Sequence, residues 1–295
     1  MKKIILLIIC TATFANDKIF VACEGNFYYN DGSLWEISDS QSFSFSQNPI
    51  GQLVQSVYVH NDNLYVIING SGNIIKYKIT GNGLIQEDII DTNGSGPREM
   101  VIYDDYLYFT NWYTADVKKI NLVTSQLEHS INMPGLPEDI IIHDGILYVS
   151  ITMNHDWTDG NQVVSIDPQN DFILHLYDVG SGPGELLVHD NEIYISRTYY
   201  NDTWDSFYGT SKINIDDEVV IASYGPGIAC GGGIYSYQNS VYRVYDGGIA
   251  KLDENLQILS DTRIGDFEAS NVYSVEVIDE YIYFGLSDYV GEDQV

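Results

Sequence analysis

Hydrophobic and polar positions alternate along most of the chain, and seven times the alternation passes through one triplet that follows a polar turn. The copies are Ile19-Phe20-Val21, Leu64-Tyr65-Val66, Leu107-Tyr108-Phe109, Leu147-Tyr148-Val149, Ile193-Tyr194-Ile195, Val241-Tyr242-Arg243 and Ile282-Tyr283-Phe284. Arg243 breaks the last position of its copy. A period of two predicts β-strands with one face buried, and the flanking residues extend each triplet into a unit of four short strands, A to D. Strand A ends on a turn, as in Val57-Tyr58-Val59-His60 before Asn61-Asp62-Asn63, or Ile140-Ile141-Ile142-His143 before Asp144-Gly145. Strand B carries the triplet. Strand C is an alternating stretch such as Ile74-Ile75-Lys76-Tyr77-Lys78-Ile79, and strand D a weaker outer run such as Leu127-Glu128-His129-Ser130-Ile131. Loops rich in glycine and proline, including Gly94-Ser95-Gly96-Pro97 and Gly180-Ser181-Gly182-Pro183, return the chain to the next strand A. No long amphipathic helical pattern competes with this reading.

The aromatics at the centre of the triplets are 45, 43, 40, 46, 48 and 41 residues apart from Phe20 to Tyr283. A repeat of that length made only of strands predicts an all-β, seven-bladed β-propeller of four-stranded antiparallel blades. The first unit, from about Lys18 to Ser46, has strands B, C and D, with the signal-like segment occupying the place of A. The last unit has A at residues 272–278, B at 281–285 and only the beginning of C at Gln294-Val295. Both ends contribute a strand B, so they belong to different blades. The reading is a ring cut short at Val295, its last blade and its closure incomplete. Closure would remove an exposed sheet edge.

Met1-Lys2-Lys3, the apolar run Ile4 to Ile9 and the small residues of Ala12-Thr13-Phe14-Ala15 have the order of a secretory signal peptide. The apolar run is too short to span a bilayer, so no transmembrane helix is expected. Residues 1–15 are read as the signal peptide and residues 16–295 as a single propeller domain, because no linker interrupts the repeat. Cys10 suggests lipidation, but the bulky Ile9 stands where a small residue is wanted. Cys23 and Cys230 could pair in an oxidising compartment, but they lie on distant units, which favours two separate buried side chains. With 42 acidic against 13 basic residues and a net charge of −29, the surface repels nucleic acid and anionic lipid; no nucleic-acid partner is expected.

Several segments carry a family resemblance. Cys23-Glu24-Gly25-Asn26-Phe27 with Asp31-Gly32-Ser33, Ser71-Gly72-Asn73-Ile74, Gly96-Pro97-Arg98-Glu99-Met100, Thr110-Asn111-Trp112 and Leu136-Pro137-Glu138-Asp139 resemble the YncE-like, YVTN-repeat extracytoplasmic propellers, in particular the surface-protein or lipoprotein branch. Cys23 departs from the usual Asn. The resemblance implies a seven-bladed propeller outside the cytoplasm, periplasmic, secreted or at the cell surface, and no single activity.

Propeller B–C and D–A loops meet on one face, and here the B–C loops are aromatic: Phe27, Tyr28 and Tyr29; Trp112 and Tyr113; His155 and Trp157; Tyr199, Tyr200, Trp204, Phe207 and Tyr208; Tyr245; Tyr289. Rings interleaved with Asn and Asp suit a glycan or peptide, or a cell-envelope protein; long Tyr-rich loops also fold back on themselves. The candidate ligand-binding set is Trp112, Tyr113, Trp157, Tyr199, Tyr200 and Trp204, with Arg98, Glu138 and Glu185 from the D–A loops. Asp156, Asp159, Asp202 and Asp205 are spaced closely enough to test for Ca2+, but they lack the twelve-residue pattern with its closing Glu; no other cofactor is expected. His60, His143 and His189 share one repeat position that Tyr103, Tyr237 and Ile278 also occupy, which marks a packing slot rather than a zinc site. No GxSxG, HExxH or phosphate loop is present, and no catalytic residue is assigned. The expectation is an exported binding or interaction module. The alternatives are a metal-dependent hydrolase of lactonase or gluconolactonase type working in the central channel, and a purely structural envelope protein.

Overall fold

A computed structural model describes residues 9–12, 18–38, 41–44, 49–227, 233–278 and 280–287. Every sheet is antiparallel and is built from strands consecutive in sequence. The first contains β1 (Ile9–Ala12), β2 (Lys18–Cys23), β3 (Ser33–Ser38) and β4 (Gln41–Ser44); the second β5 (Val54–His60), β6 (Asn63–Ile68), β7 (Asn73–Thr80) and β8 (Gly83–Asp91). The third contains β9 (Pro97–Tyr103), β10 (Tyr106–Asn111), β11 (Asp116–Asn121) and β12 (Gln126–Asn132); the fourth β13 (Leu136–His143), β14 (Ile146–Met153), β15 (Asp159–Asp167) and β16 (Phe172–Asp178). The fifth contains β17 (Pro183–His189), β18 (Glu192–Tyr200), β19 (Ser206–Ile213) and β20 (Val219–Pro226); the sixth β21 (Ile234–Tyr237), β22 (Ser240–Tyr245), β23 (Gly248–Leu252) and β24 (Ile258–Ile264). The last pairs only β25 (Val272–Ile278) with β26 (Tyr281–Leu286) among the described residues. One short 3-10 turn, Ala269–Asn271, is the only helical segment described, and no described helix is long and apolar enough to cross a membrane.

The first strand of each sheet lies beside the first strand of the next, from β1 through β5, β9, β13, β17 and β21 to β25, and β25 returns to β1. The sheets therefore follow one another around a ring with strand A innermost. Between successive sheets lies one apolar layer, and the triplet aromatic is its recurring element. Phe20 packs with Val54 and Leu64 of the following sheet, Tyr65 with Met100 and Leu107, and Tyr108 with Ile140 and Leu147. Tyr148 faces Leu186 and Ile193, Tyr194 faces Ile234 and Val241, and Tyr242 faces Val272 and Val275. Tyr283 completes the circuit against Val21 and Cys23 of the first sheet. Phe20, Tyr65, Tyr108 and Tyr242 are buried, whereas Tyr148, Tyr194 and Tyr283 are half-buried. Burying such a ring contributes roughly 2 to 3 kcal/mol. A hydrogen bond from Tyr273 Oη to Glu24 Oε2 (3.3 Å) also joins the last sheet to the first.

Two expectations shift. Ile9–Ala12 pairs with Lys18–Cys23 in register Ile9↔Val21 to Ala12↔Lys18, so this backbone takes the strand-A place of the first sheet. Tyr199, Tyr200, Phe207 and Tyr208 are not loop residues: β18 and β19 continue outward as a ribbon paired Thr198↔Tyr208, Tyr199↔Phe207 and Tyr200↔Ser206. Tyr245 likewise ends strand β22. Tyrosine favours the pleated ladder, and only Asn201 to Asp205 is left to turn the chain. Cys23 is buried. Cys230, Tyr289 and the Gln294-Val295 start of strand C lie outside the described residues.

Candidate functional site

Strand A carries an irregularity at the same place in three successive sheets. The register of β9 with β10 shifts between Met100 and Pro97, that of β13 with β14 between Pro137 and Ile140, and that of β17 with β18 between Pro183 and Leu186. The residues released from the ladder are Arg98-Glu99, Glu138-Asp139 and Gly184-Glu185. Their freed N–H groups are satisfied by strand B: Glu99 N donates to Thr110 Oγ1 (3.0 Å), Asp139 N to Ser150 Oγ (3.0 Å) and Glu185 N to Ser196 Oγ (2.9 Å). Each hydroxyl stands two residues after the triplet tyrosine. The triplets are thus quartets ending in Ser or Thr, and this signal lay one residue beyond the pattern read from sequence. The bulge re-aims strand A so that acidic side chains meet inside the ring.

Asp139 reaches across to the next sheet, its Oδ2 accepting from Leu186 N (2.6 Å), and Glu185 Oε2 accepts from Ile234 N (3.3 Å) in the same manner. Carboxyls from four sheets act on one another here. Burial first, and then the charges of Asp139 and Glu138, push Glu99 well above the ordinary carboxylate range. Burial lifts Asp139 to about 6, burial and Asp139 lift Glu185 to about 7, and burial and Glu185 lift Glu276 to about 8. Glu185 keeps accessible surface even though the density of protein around it raises its pKa. Asp139 and Glu276 were not singled out from the sequence.

Arg98 connects this interior to the aromatic face. Its Nε donates to Glu138 Oε2 (3.1 Å), its Nη2 pairs with Glu138 Oε1 (2.5 Å), and its Nη1 donates to Gln55 Oε1 (2.7 Å). The guanidinium carbon lies 4.4 Å from the Trp112 ring centroid. Trp157 meets Trp112 edge to face at 6.0 Å, so rings from the third and fourth sheets touch. Asp159, two residues on from Trp157, accepts a hydrogen bond from Tyr200 N at Oδ2 (3.0 Å), and Tyr200 is 6.1 Å from Trp204. This chain of contacts crosses three consecutive sheets. Tyr199 stacks on Phe207 at 5.8 Å, with the Arg197 guanidinium 5.4 Å from its centroid. Tyr113 lies over Gly96, where an added Cβ would come within 2.8 Å of the ring. Trp157 is 57% and Trp204 78% exposed, and Tyr113 is also exposed. Backbone bonds from Trp112 N to Gly96 O and from Thr198 N to Gly182 O place the B–C connections against the D–A loops.

The four aspartates tested for Ca2+ do not converge. Asp156 Oδ1 accepts from Thr158 N and Oγ1, and Asp205 Oδ2 accepts from Asn201 Nδ2 and Thr203 Oγ1, so both are engaged within their own turns. Asp159 is engaged with Tyr200, and Asp202 is exposed. Among the described residues no group of three or more His, Cys, Asp or Glu side chains is arranged to hold a metal ion. The three histidines stay in separate sheets: His143 lies 6.5 Å from Tyr148, while His189 Nδ1 is 2.9 Å from Ser236 Oγ.

No protein-family model matches the chain, and no curated protein matches it. Solved structures resemble it in fold. A 6-phosphogluconolactonase-like protein from Bacteroides fragilis superposes with a TM-score of 0.64 at 12% identity, over 92% of this chain and 86% of that one. BamB from Moraxella catarrhalis gives 0.57 at 13%, over 91% and 78%. The extracellular domain of a one-component system from B. thetaiotaomicron gives 0.60 at 11%, over 95% of this chain and 39% of the other. Identities this low carry the fold alone: the chain is an all-β protein of β-propeller type.

Proposed function

We propose that this chain is an exported seven-bladed β-propeller that acts as a ligand-binding or protein-interaction module, with the aromatic B–C face as its recognition surface. The observation that carries the reading is the run of rings across three neighbouring sheets, Trp112 against Trp157 and Tyr200 against Trp204, whose outer members are largely exposed. Exposed aromatics grouped in this way are the residues that commonly anchor interfaces. Export rests on the signal-like order of residues 1–15, whose cleavage would take the strand Ile9–Ala12 out of the first sheet, and fits the setting of the extracellular domain whose fold the chain shares. In this reading Arg98 and Glu138 are a structural pair that sets the tilt of Trp112.

A second reading, a hydrolase of lactonase type, is favoured by the acidic interior, where Glu99, Asp139, Glu185 and Glu276 face one another, and by the fold shared with the lactonase-like protein. A metal there would need ligands beyond the described groupings. A peptide and glycan array probed with the protein, with Trp157→Ala and Trp204→Ala, and with chelator separates the two. The binding reading expects array ligands that lose affinity about tenfold or more in the variants and are indifferent to chelator. Binding that chelator abolishes and the variants retain would transfer the function to the interior.

A further inference from the structure

Four turns of this chain share one backbone design. Asn154–Thr158, Asn201–Asp205, Asn214–Glu218 and Asp253–Gln257 each have the first residue's N–H bonded to the fifth residue's carbonyl, and the fourth residue's N–H bonded to the first residue's carbonyl. The fourth residue is left-handed in all of them: Trp157 (φ 67°), Trp204 (φ 64°), Asp217 (φ 61°) and Leu256 (φ 60°). That position favours Gly or Asn, tolerates Asp, and is unfavourable for a bulky side chain. The occupants explain themselves unequally. Asp217 is a tolerated residue whose carboxylate accepts from Tyr177 Oη (2.8 Å). Leu256 is fully buried and packs with Ala222 and Leu252, so core burial offsets its backbone. Trp157 and Trp204 have neither justification, since they are 57% and 78% exposed at the tips of adjacent sheets. A strained conformation kept twice for an exposed ring implies that the ring is held out for something else to cover.

The setting of the two rings decides what that is. Asp156 precedes Trp157, and Asp202 and Asp205 flank Trp204. Thr158 holds Asp156, and Thr203 and Asn201 hold Asp205, as firmly ionised carboxylates below the ordinary range. No Lys or Arg occurs in either loop, and His155 is the one basic side chain there. Among the described residues elsewhere, Lys18, Lys76, Lys78, Arg98, Lys118, Lys119, Lys212 and Arg263 are ion-paired, Arg197 and Arg243 are buried, and Lys251 lies on β23 of the sixth sheet, outside these loops. What faces outward is aromatic and anionic on a protein of net charge −29.

Resting on the binding-face reading above, we propose that Trp157 and Trp204, with Asp156 and Asp202 beside them, form a docking surface for a basic peptide segment of a partner protein, whose Arg or Lys side chains lie over the indole faces. Cation–π contact is strongest for Trp and commonest for Arg, and the adjacent carboxylates supply the counter-charge. A neutral sugar could hydrogen-bond to those carboxylates but would leave their charge uncompensated, whereas a basic side chain offsets it.

The test uses the full chain and its Trp157→Gly/Trp204→Gly double variant, titrated with a short oligo-arginine peptide, a neutral Gly-Ser peptide and a cello-oligosaccharide. Glycine suits the left-handed position, so the variant is expected to melt at the same temperature or higher, while its affinity for oligo-arginine falls about tenfold or more. Asp156→Asn/Asp202→Asn is expected to weaken the same peptide and to flatten its salt dependence. Oligo-arginine binding that is equal in the double glycine variant would mean that bulk charge alone attracts the peptide, and would overturn the proposal. Preference for the cello-oligosaccharide through the same two rings would also overturn it while leaving the binding-face reading intact. A marked fall in melting temperature would show that the rings are structural and would remove both.

Discussion

Arg243 is the residue at which the sequence pattern visibly breaks, and the structure gives the reason. Its side chain is fully buried, and its donors are spent on the frame around it: Nε to Thr210 Oγ1 (3.2 Å), Nη1 to Gly233 O (2.8 Å), and Nη2 to Gly209 O (3.1 Å) and Arg197 O (3.4 Å). Restoring the aliphatic pattern with Arg243→Leu would strand these acceptors in the seam between the fifth and sixth sheets. The expected loss is about 3 kcal/mol or more, measured by urea unfolding. A variant as stable as the parent would show that the seam repacks and that the guanidinium is dispensable. Such a role was not legible beforehand. A lone basic residue in a strand pattern shows that the pattern is broken but does not reveal which carbonyls await it, because those belong to residues more than 30 positions away or to a loop.

At the scale of elements, the sequence was legible wherever one unit could be compared with another. The seven triplets mark the second strand of every sheet, and their aromatics enter the seams in turn, because a strand buried on both faces has to repeat its contacts each time it repeats its place. The aromatic loops were legible as loops in the third and fourth sheets. In the fifth, Tyr199, Tyr200, Phe207 and Tyr208 were assigned to a loop although they continue the strands, since ribbon pairing depends on the partner strand and not on local polarity. The fourth member of each quartet, Thr110, Ser150 or Ser196, was overlooked for a different reason. Its function is to repair a bulge in the neighbouring strand, and a bulge leaves no mark of its own in an alternating pattern. The turns around Trp157 and Trp204 are legible as aromatic loops carrying aspartates, but left-handed backbone at a tryptophan is a fact of conformation that composition does not carry.

At the scale of the whole molecule, the ring creates a property that no single sheet has. Glu99, Asp139, Glu185 and Glu276 come from the third, fourth, fifth and last sheets and become neighbours only when the sheets close around them. Their folded-state pKa values, about 6, 7 and 8 for Asp139, Glu185 and Glu276 and high for Glu99, exceed those of the unfolded chain, near 4. The native state therefore binds more protons than the unfolded one between about pH 4 and pH 8, and linkage makes stability fall as pH rises through that window. The melting temperature is expected to decline steadily from about pH 5 to about pH 8, with Glu276→Gln flattening the upper part of the decline and the exposed-site control Glu254→Gln leaving its shape unchanged. Equal slopes for Glu276→Gln and the parent would assign the effect to the surface charge of the acidic chain instead.

Hydrogen exchange with and without the tightest ligand from the array separates recognition on the aromatic face from recognition in the acidic interior. Recognition on the aromatic face gives new protection confined to residues 112–116, 154–160 and 199–206. Protection that appears instead along the inner strands β13 and β17, with those loops unchanged, would contradict it.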